Sequence, residues 1–170
     1  MADNIILIGF MGVGKGRTAR ALAALTGRFA VDTDDLIESM VKTKVRDIFA
    51  AQGEAHFRRL EQQAADWLER QVSGTIVSAG GGFFNVSNLK QLGKVVYLHS
   101  DLESIIKALR SAPNAESKMK KRPLLQDMVR AEALFAERLP RYRQAADFEV
   151  AVQGRENADI AAEIVEWLRR

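Results

Sequence analysis

One stretch constrains this chain more than any other: Ile5-Ile6-Leu7-Ile8-Gly9-Phe10-Met11-Gly12-Val13-Gly14-Lys15-Gly16-Arg17-Thr18. Its apolar start has the length of a buried strand. It then breaks into a glycine-spaced turn, a lysine and a helical pattern. Glycines in such a turn let backbone N–H groups face inward around an anion without Cβ clashes. A helix starting near Gly14 adds free N–H groups and the positive end of its dipole. Lys15 then reaches the β- and γ-phosphates of a bound nucleotide. Gly12, Val13, Gly14, Lys15, Gly16 and Arg17 are the expected nucleotide contacts.

The spacing G-x-x-x-x-G-K-[ST] is met from Gly9 to Lys15 and fails at its last place. Gly16 stands where a Ser or Thr would ligate Mg²⁺. The competing reading is an ordinary glycine-rich turn between a strand and a helix. Strand, glycines, lysine and helix together favour a phosphate loop.

Downstream, apolar runs alternate with helical spacing. Strands are expected at Phe29 to Val31, Thr75 to Ser78, Lys94 to Leu98 and Phe148 to Val152. Helices are expected over about 14–25, at Leu36 to Val41, over 45–51 and from Gly53 to about Val72. Weaker helical spacing covers Asn85 to Leu92. Ser100 and Glu103 read as a capping box for a helix to Arg110. A further helix spans about 127–146, with Pro140 expected to bend or interrupt it. Asn157 reads as the cap of the last. Alternating strands and helices indicate an α/β domain with a parallel sheet covered on both faces. Residues 111–122 are polar, basic and without periodicity, and segments of that kind in a compact domain are usually functional.

Composition narrows the classes. A chain of 170 residues is expected to form one domain. It has no cysteine, which excludes disulfides, thiolate metal sites and a cysteine nucleophile. Two histidines far apart, His56 and His99, argue against a histidine metal site. The start shows no basic region before an apolar stretch, and no apolar run approaches spanning length, so the expectation is a cytoplasmic protein without a membrane partner. The net charge of +3 does not by itself imply nucleic acid, and no basic stripe interleaved with aromatics is present. Residues 100–145 hold ten Lys and Arg against six Asp and Glu, which suits a small anionic ligand.

Other groups carry chemistry. Asp32 and Asp34 fall at the carboxyl end of an expected strand, where open α/β sheets bind ligands. One carboxylate suits Mg²⁺ and the other a substrate hydroxyl, the two jobs phosphoryl transfer requires; helix capping is the competing role. Phe57, Leu60, Ala64, Trp67 and Leu68 form an apolar stripe, with Glu54, Arg58 and Glu61 along its flank. That flank is either a surface ion-pair set or a guanidinium fork facing a cleft. Gly80-Gly81-Gly82 allows close approach of a ligand to the backbone. Arg122-Pro123-Leu124-Leu125 closes the basic segment, either as a solvated loop or as a lid carrying Arg122 to the phosphates. Arg138-Leu139-Pro140-Arg141-Tyr142 adds a further arginine cluster.

The order of these motifs resembles the shikimate kinase family over essentially the whole chain. It runs phosphate loop, Asp-Thr-Asp, Gly-Glu-x-x-Phe-Arg-x-x-Glu, Gly-Gly-Gly, Arg-Pro-Leu-Leu, Arg-x-Pro-x-Tyr. The resemblance implies a three-layer fold like that of P-loop NTPases, with a five-stranded parallel sheet in the order 2-3-1-4-5 and a mobile lid at about 111–123. It implies transfer of the ATP γ-phosphate to the 3-hydroxyl of shikimate, with Mg²⁺. Separately, the chain is expected to act as a monomer. The resemblance gives catalytic roles to Lys15, Asp34 and Arg122, acceptor binding to Asp34, Arg58, Gly80, Gly81, Gly82 and Arg138, and Mg²⁺ through water to Asp32. Arg155 matches a position near the adenine. Two departures stand out. Gly16 and Arg17 replace a hydroxyl pair, and Ala108, five residues beyond Glu103, stands where the family often has an adenine-stacking Arg; Lys107 and Arg110 are the nearest cations. Readings kept beside this one are a related kinase for gluconate or a nucleotide, and a protein that binds without turnover.

Overall fold

Ile5, Ile6, Leu7 and Ile8 are at most 1% exposed, as a strand flanked by neighbours and covered on both faces requires. The computed structural model, which describes residues 3–170, builds them into β1 (Asn4–Ile8). The other strands are β2 (Ala30–Asp32), β3 (Ile76–Ser78), β4 (Gly93–His99) and β5 (Phe148–Ala151). All pair in parallel, in the order β2-β3-β1-β4-β5. The register sets Asp32 beside Ser78 and Ser78 beside Leu7. Their carboxyl ends therefore finish level, next to the turn that begins at Gly9.

The helices are α1 (Lys15–Thr26), α2 (Thr33–Val41), α3 (Val45–Gln71), α4 (Leu89–Leu92), α5 (Leu102–Arg110), α6 (Ala115–Lys120), α7 (Met128–Ala145) and α8 (Asn157–Leu168). They cover the sheet, with α1 packed against α8 and α7 against β4. Gly53, at φ 78° and ψ 173°, interrupts α3 and separates the two helical stretches expected there. The main core gathers the strands with Leu22, Leu68, Phe83, Ile105 and Ile164. A second, smaller cluster of Ile37, Ile48, Phe57 and Leu60 lies under α2 and α3.

Several local expectations are corrected. Asp101, not Ser100, caps α5: its carboxylate accepts from the Ser104 N–H at 2.7 Å, so the cap sits one residue later than the expected box. Glu156 occupies the cap position of α8, and no side chain caps that helix; Asn157 is its first residue. The weak helix at 85–92 resolves into a 3-10 turn, Phe83–Asn85, and the short α4. Helix α7 runs on through Pro140, with Tyr142 buried in the core and Leu139 packed against it on either side. Trp67 is 44% exposed, off the stripe that Phe57, Leu60 and Leu68 bury. The segment after α5 is not irregular: α6 lies within it and packs against α5. No helix among the described residues is long and apolar enough to cross a membrane.

At the opposite end of the sheet from the glycine turn, Asn4 is 1% exposed and locks three chain segments together. Its Nδ2 donates to Val72 O at 3.0 Å and Leu92 O at 2.9 Å, and its Oδ1 accepts from the Thr75 N–H at 2.9 Å. Replacing it by an apolar isostere leaves buried backbone groups unpaired, each costing roughly 1–3 kcal/mol. Asn4→Leu is expected to lower stability by about 2–4 kcal/mol in denaturant unfolding. Ligand affinities of the folded fraction should stay unchanged.

Candidate active site

The glycine turn takes its shape from backbone that side chains would block. Gly12 has φ 82°, and a Cβ there would lie 2.8 Å from Leu109 Cδ1 on α5. Gly14 has φ 105° and stands at the N-cap of α1, whose first turn contains no acidic residue and receives no side-chain cap. The first N–H groups of α1 are thus left for an outside acceptor. Lys15 folds back over the turn, its Nζ donating to Gly9 O at 2.8 Å and Phe10 O at 3.0 Å. Burial pulls the ammonium down to about 8, against the opposing pull of Asp34 and Asp32.

Asp32, Thr33 and Asp34 each do something different at the end of β2. Asp32 Oδ1 caps α2 by accepting from the N–H groups of Asp34 (2.9 Å) and Asp35 (3.3 Å). Its Oδ2 accepts from Ser78 Oγ at 2.8 Å, across to β3. Capping and a site role are therefore compatible. Thr33 is fully buried, and its Oγ1 accepts from the Gly80 N–H at 2.9 Å, which fixes the glycine loop. Asp34 turns inward. Burial first, then Asp32 and Glu61, push its carboxyl up to about 7, and Lys15 opposes them.

The glycine loop leaves room for four charged groups. A Cβ on Gly80 would lie 2.7 Å from Asp34 Oδ1 and 3.2 Å from Glu61 Oε1. Those two oxygens are buried and have no hydrogen-bond partner among the described residues. A Cβ on Gly81 would lie 3.2 Å from Arg138 Nη1, and one on Gly82 would fall inside the Arg58 guanidinium. Alanine at Gly80 or Gly82 would force Asp34 or Arg58 to move. Arg58 is held by Glu61 (Nη1 to Oε2, 2.6 Å) and by Glu54 (Nη2 at 2.8 Å and Nε at 3.2 Å to Oε1). Burial pulls the guanidinium down, but these carboxylates outweigh it and hold it above the usual arginine range. With three of its N–H groups engaged, two of the five remain for a ligand. Glu61 is 1% exposed, so the Arg58–Glu61 end of the flank is not a surface ion pair, while Glu54 stays exposed.

From α7, Tyr142 Oη donates to Gly81 O at 2.5 Å. Its ring stacks on Tyr97 at 5.1 Å and meets Phe84 edge-on at 4.8 Å. Burial pushes its hydroxyl up to about 12, so it remains a donor. Arg138, one turn before it, faces the same loop.

Arg122 follows α6, with its Nη1 donating to Lys118 O at 2.9 Å. Burial, then the charge of Arg17, hold its guanidinium below the usual range. Lys15 is near enough to feel the charges of Asp34, Asp32, Arg122 and Arg138. Arg155 is not part of that set: it is tied to Ala151 O at 2.9 Å and to Glu163 at 2.6 Å. Ala108, Lys107 and Arg110 lie exposed on α5, the helix whose Ile105 and Leu109 bear on Gly12. A hard cation would find oxygen donors in Asp32 but no hydroxyl at Gly16. No three His, Cys, Asp or Glu side chains converge as a cage among the described residues. That set fits Mg²⁺ held through water and phosphate oxygens, as this ion commonly is.

Sequence reading missed Thr33, Ser78 and the burial of Glu61, and it left Tyr142 without a role. The one available signal was Glu61 itself, a charged residue one helical turn after Phe57 and directly following Leu60 in the apolar stripe.

A family model described as shikimate kinase matches residues 11–169. The chain is 37% identical over 167 residues to a shikimate kinase of Helicobacter hepaticus, covering 98% of this chain and 96% of that protein. Among solved structures it resembles shikimate kinase from Acinetobacter baumannii in complex with shikimate, with 31% identity, a TM-score of 0.86 and coverage of 99% and 94%. It also resembles shikimate kinase from Aquifex aeolicus, with 28% identity, a TM-score of 0.77 and coverage of 98% and 96%.

The raised carboxyl of Asp34 is a statement about stability. Its folded-state value of about 7 exceeds the ordinary 3.8, so charging it opposes folding as pH rises through that window. Asp34→Asn removes the charge and keeps the shape. It is expected to stabilise the fold by roughly 1–4 kcal/mol above pH 7, with the gain vanishing below pH 4. Thermal unfolding of both proteins across pH 4–8 checks the sign.

Proposed function

The chain belongs to the shikimate kinase family, and from that premise we propose that it transfers the γ-phosphoryl group of ATP to the 3-hydroxyl of shikimate, in aromatic amino-acid biosynthesis. One observation carries the reading at the site: two guanidinium groups and two unpartnered buried carboxylate oxygens converge on Gly80, Gly81 and Gly82. A small acceptor with one carboxylate and several hydroxyls complements that set. A nucleotide acceptor does not; gluconate carries the same groups, and it is family membership that sets it aside.

In this reading the free N–H groups of Arg58 and Arg138 hold the acceptor carboxylate. Asp34 Oδ1 accepts from the acceptor hydroxyl and takes its proton as the oxygen attacks the γ-phosphorus. The new O–P bond forms as the bond from that phosphorus to the bridging oxygen breaks, and ADP leaves. A carboxyl at about 7 is matched to such a transfer near neutral pH. Lys15 and the N–H groups of the glycine turn bind the β- and γ-phosphates, and Arg122 neutralises the charge on the transferred group. Mg²⁺, held by Asp32 through water, would supply further charge to the phosphates. Arg155 near the adenine belongs to the same reading, and would need to leave Glu163 to touch it.

The segment 111–123 is proposed as the lid. Its helix α6 buries no residue, and Met119 alone of its side chains packs partly on the core. Such a segment opens at low cost. Hydrogen exchange should slow across it when an ATP analogue and shikimate are both present; unchanged protection there would remove the lid from the mechanism.

Steady-state assay with ATP and shikimate tests the activity. Arg138→Ala should weaken shikimate binding by about 10-fold or more while leaving ATP affinity nearly unchanged, from loss of a charged hydrogen bond of about 1.5–3 kcal/mol. Calorimetry of each ligand decides it, and equal loss for both would refute the assignment.

A further inference from the structure

Gly16 is not required by the fold. It does not have a positive φ, and a Cβ built on it would meet only Arg20 Nη1, at 3.7 Å. A side-chain Cβ would fit there in ordinary contact. The missing hydroxyl is therefore a difference in chemistry, and the adjacent residue differs with it. Arg17 is exposed on the first turn of α1, yet its guanidinium bends back over the glycine turn. A Cβ on Gly14 would lie 3.4 Å from Arg17 Nη2, 3.6 Å from Nε and 3.9 Å from Cζ.

No described residue neutralises it. Among the described residues Arg17 forms no ion pair and no side-chain hydrogen bond, and the first turn of α1 carries no acid and no cap. Arg122 approaches from the lid side, also without a carboxylate partner, near enough for the two charges to oppose each other. Two unpaired guanidinium groups, one of them lying against an uncapped helix start, repel unless an anion lies among them. An arginine fork suits phosphate oxygens, and it cannot ligate a cation.

We infer that Arg17 is a phosphate-binding residue, whose guanidinium grips the nucleotide at the α- and β-phosphates and supplies from the protein part of the charge that a cation ligated at position 16 supplies elsewhere. This rests on the kinase reading above. Nucleotide binding by this chain then depends less on Mg²⁺ than a serine at position 16 would make it.

The test is calorimetric binding of ADP and of adenosine, each with Mg²⁺ and with excess EDTA. Wild type should bind ADP in EDTA. Arg17→Ala should weaken that binding about 10-fold, the scale of one charged hydrogen bond, and weaken it less with Mg²⁺ present. Adenosine should bind both proteins alike, and Arg17→Lys should recover part of the loss. Arg20→Ala, which removes an equal charge one turn away, should bind ADP as wild type does. Gly16→Ser should widen the gap between Mg²⁺ and EDTA. If Arg17→Ala binds ADP in EDTA as tightly as wild type, or if Arg20→Ala loses as much, the assignment to Arg17 is overturned while the kinase reading stands. If wild type binds no ADP under either condition, the kinase reading itself falls, and this inference with it.

Discussion

A lysine ammonium enclosed with carboxylates at the end of a parallel sheet is the interaction on which the rest of this molecule depends. Burial works against the charged form of both Lys15 and Asp34, and each offsets part of the other's penalty. That mutual effect arises only if folding brings the two groups near each other. The sheet register does this: Asp32 sits level with Ser78, Ser78 with Leu7, and the chain leaving Leu7 enters the turn that ends in Lys15. A slip of one residue in β2 would exchange its two faces and move the aspartates away. The hydrogen bond from Ser78 Oγ to Asp32 and that from the Gly80 N–H to Thr33 guard against it.

The acceptor side rests on a different device. Arg58 would be a poor ligand-binding group if it were free to sample its many rotamers, and Glu54 and Glu61 remove that freedom. Glu61 is in turn buried, where a lone carboxylate would be strongly disfavoured, so the arginine is what makes its burial tolerable. The glycines opposite are needed for room. At Gly82 the guanidinium occupies the space of a side chain, and at Gly80 the orphaned oxygens do.

Much of this was legible in the sequence, for reasons that differ by element. β1, β4 and α1 carry strong periodic or apolar patterns, and the phosphate turn declares itself through glycine spacing. The strand order 2-3-1-4-5 came from family resemblance; alternation alone gives a parallel sheet without an order. What stayed hidden are single polar residues whose partners lie far along the chain. Asn4 meets Val72, Thr75 and Leu92, and Thr33 meets Gly80. No local pattern marks such a residue, because its neighbours in sequence are not its neighbours in space. The caps failed more narrowly. Ser100 and Asp101 are both competent, and backbone geometry chose the second.

The two apolar clusters have a consequence for how such a molecule changes over generations. Ile37, Ile48, Phe57 and Leu60 form a core of their own under α2 and α3, and Ala64 borders both it and the main core. Gly53 further uncouples the first turns of α3 from the stretch that carries Arg58 and Glu61. Mutations within this small cluster are felt mainly by the elements that present Asp34 and Arg58, while the sheet and the glycine turn keep their own support. The architecture behaves as a handle with an exchangeable bit: one module can drift, or be re-tooled by descent toward a differently shaped acceptor, without unsettling the machinery that grips the phosphates.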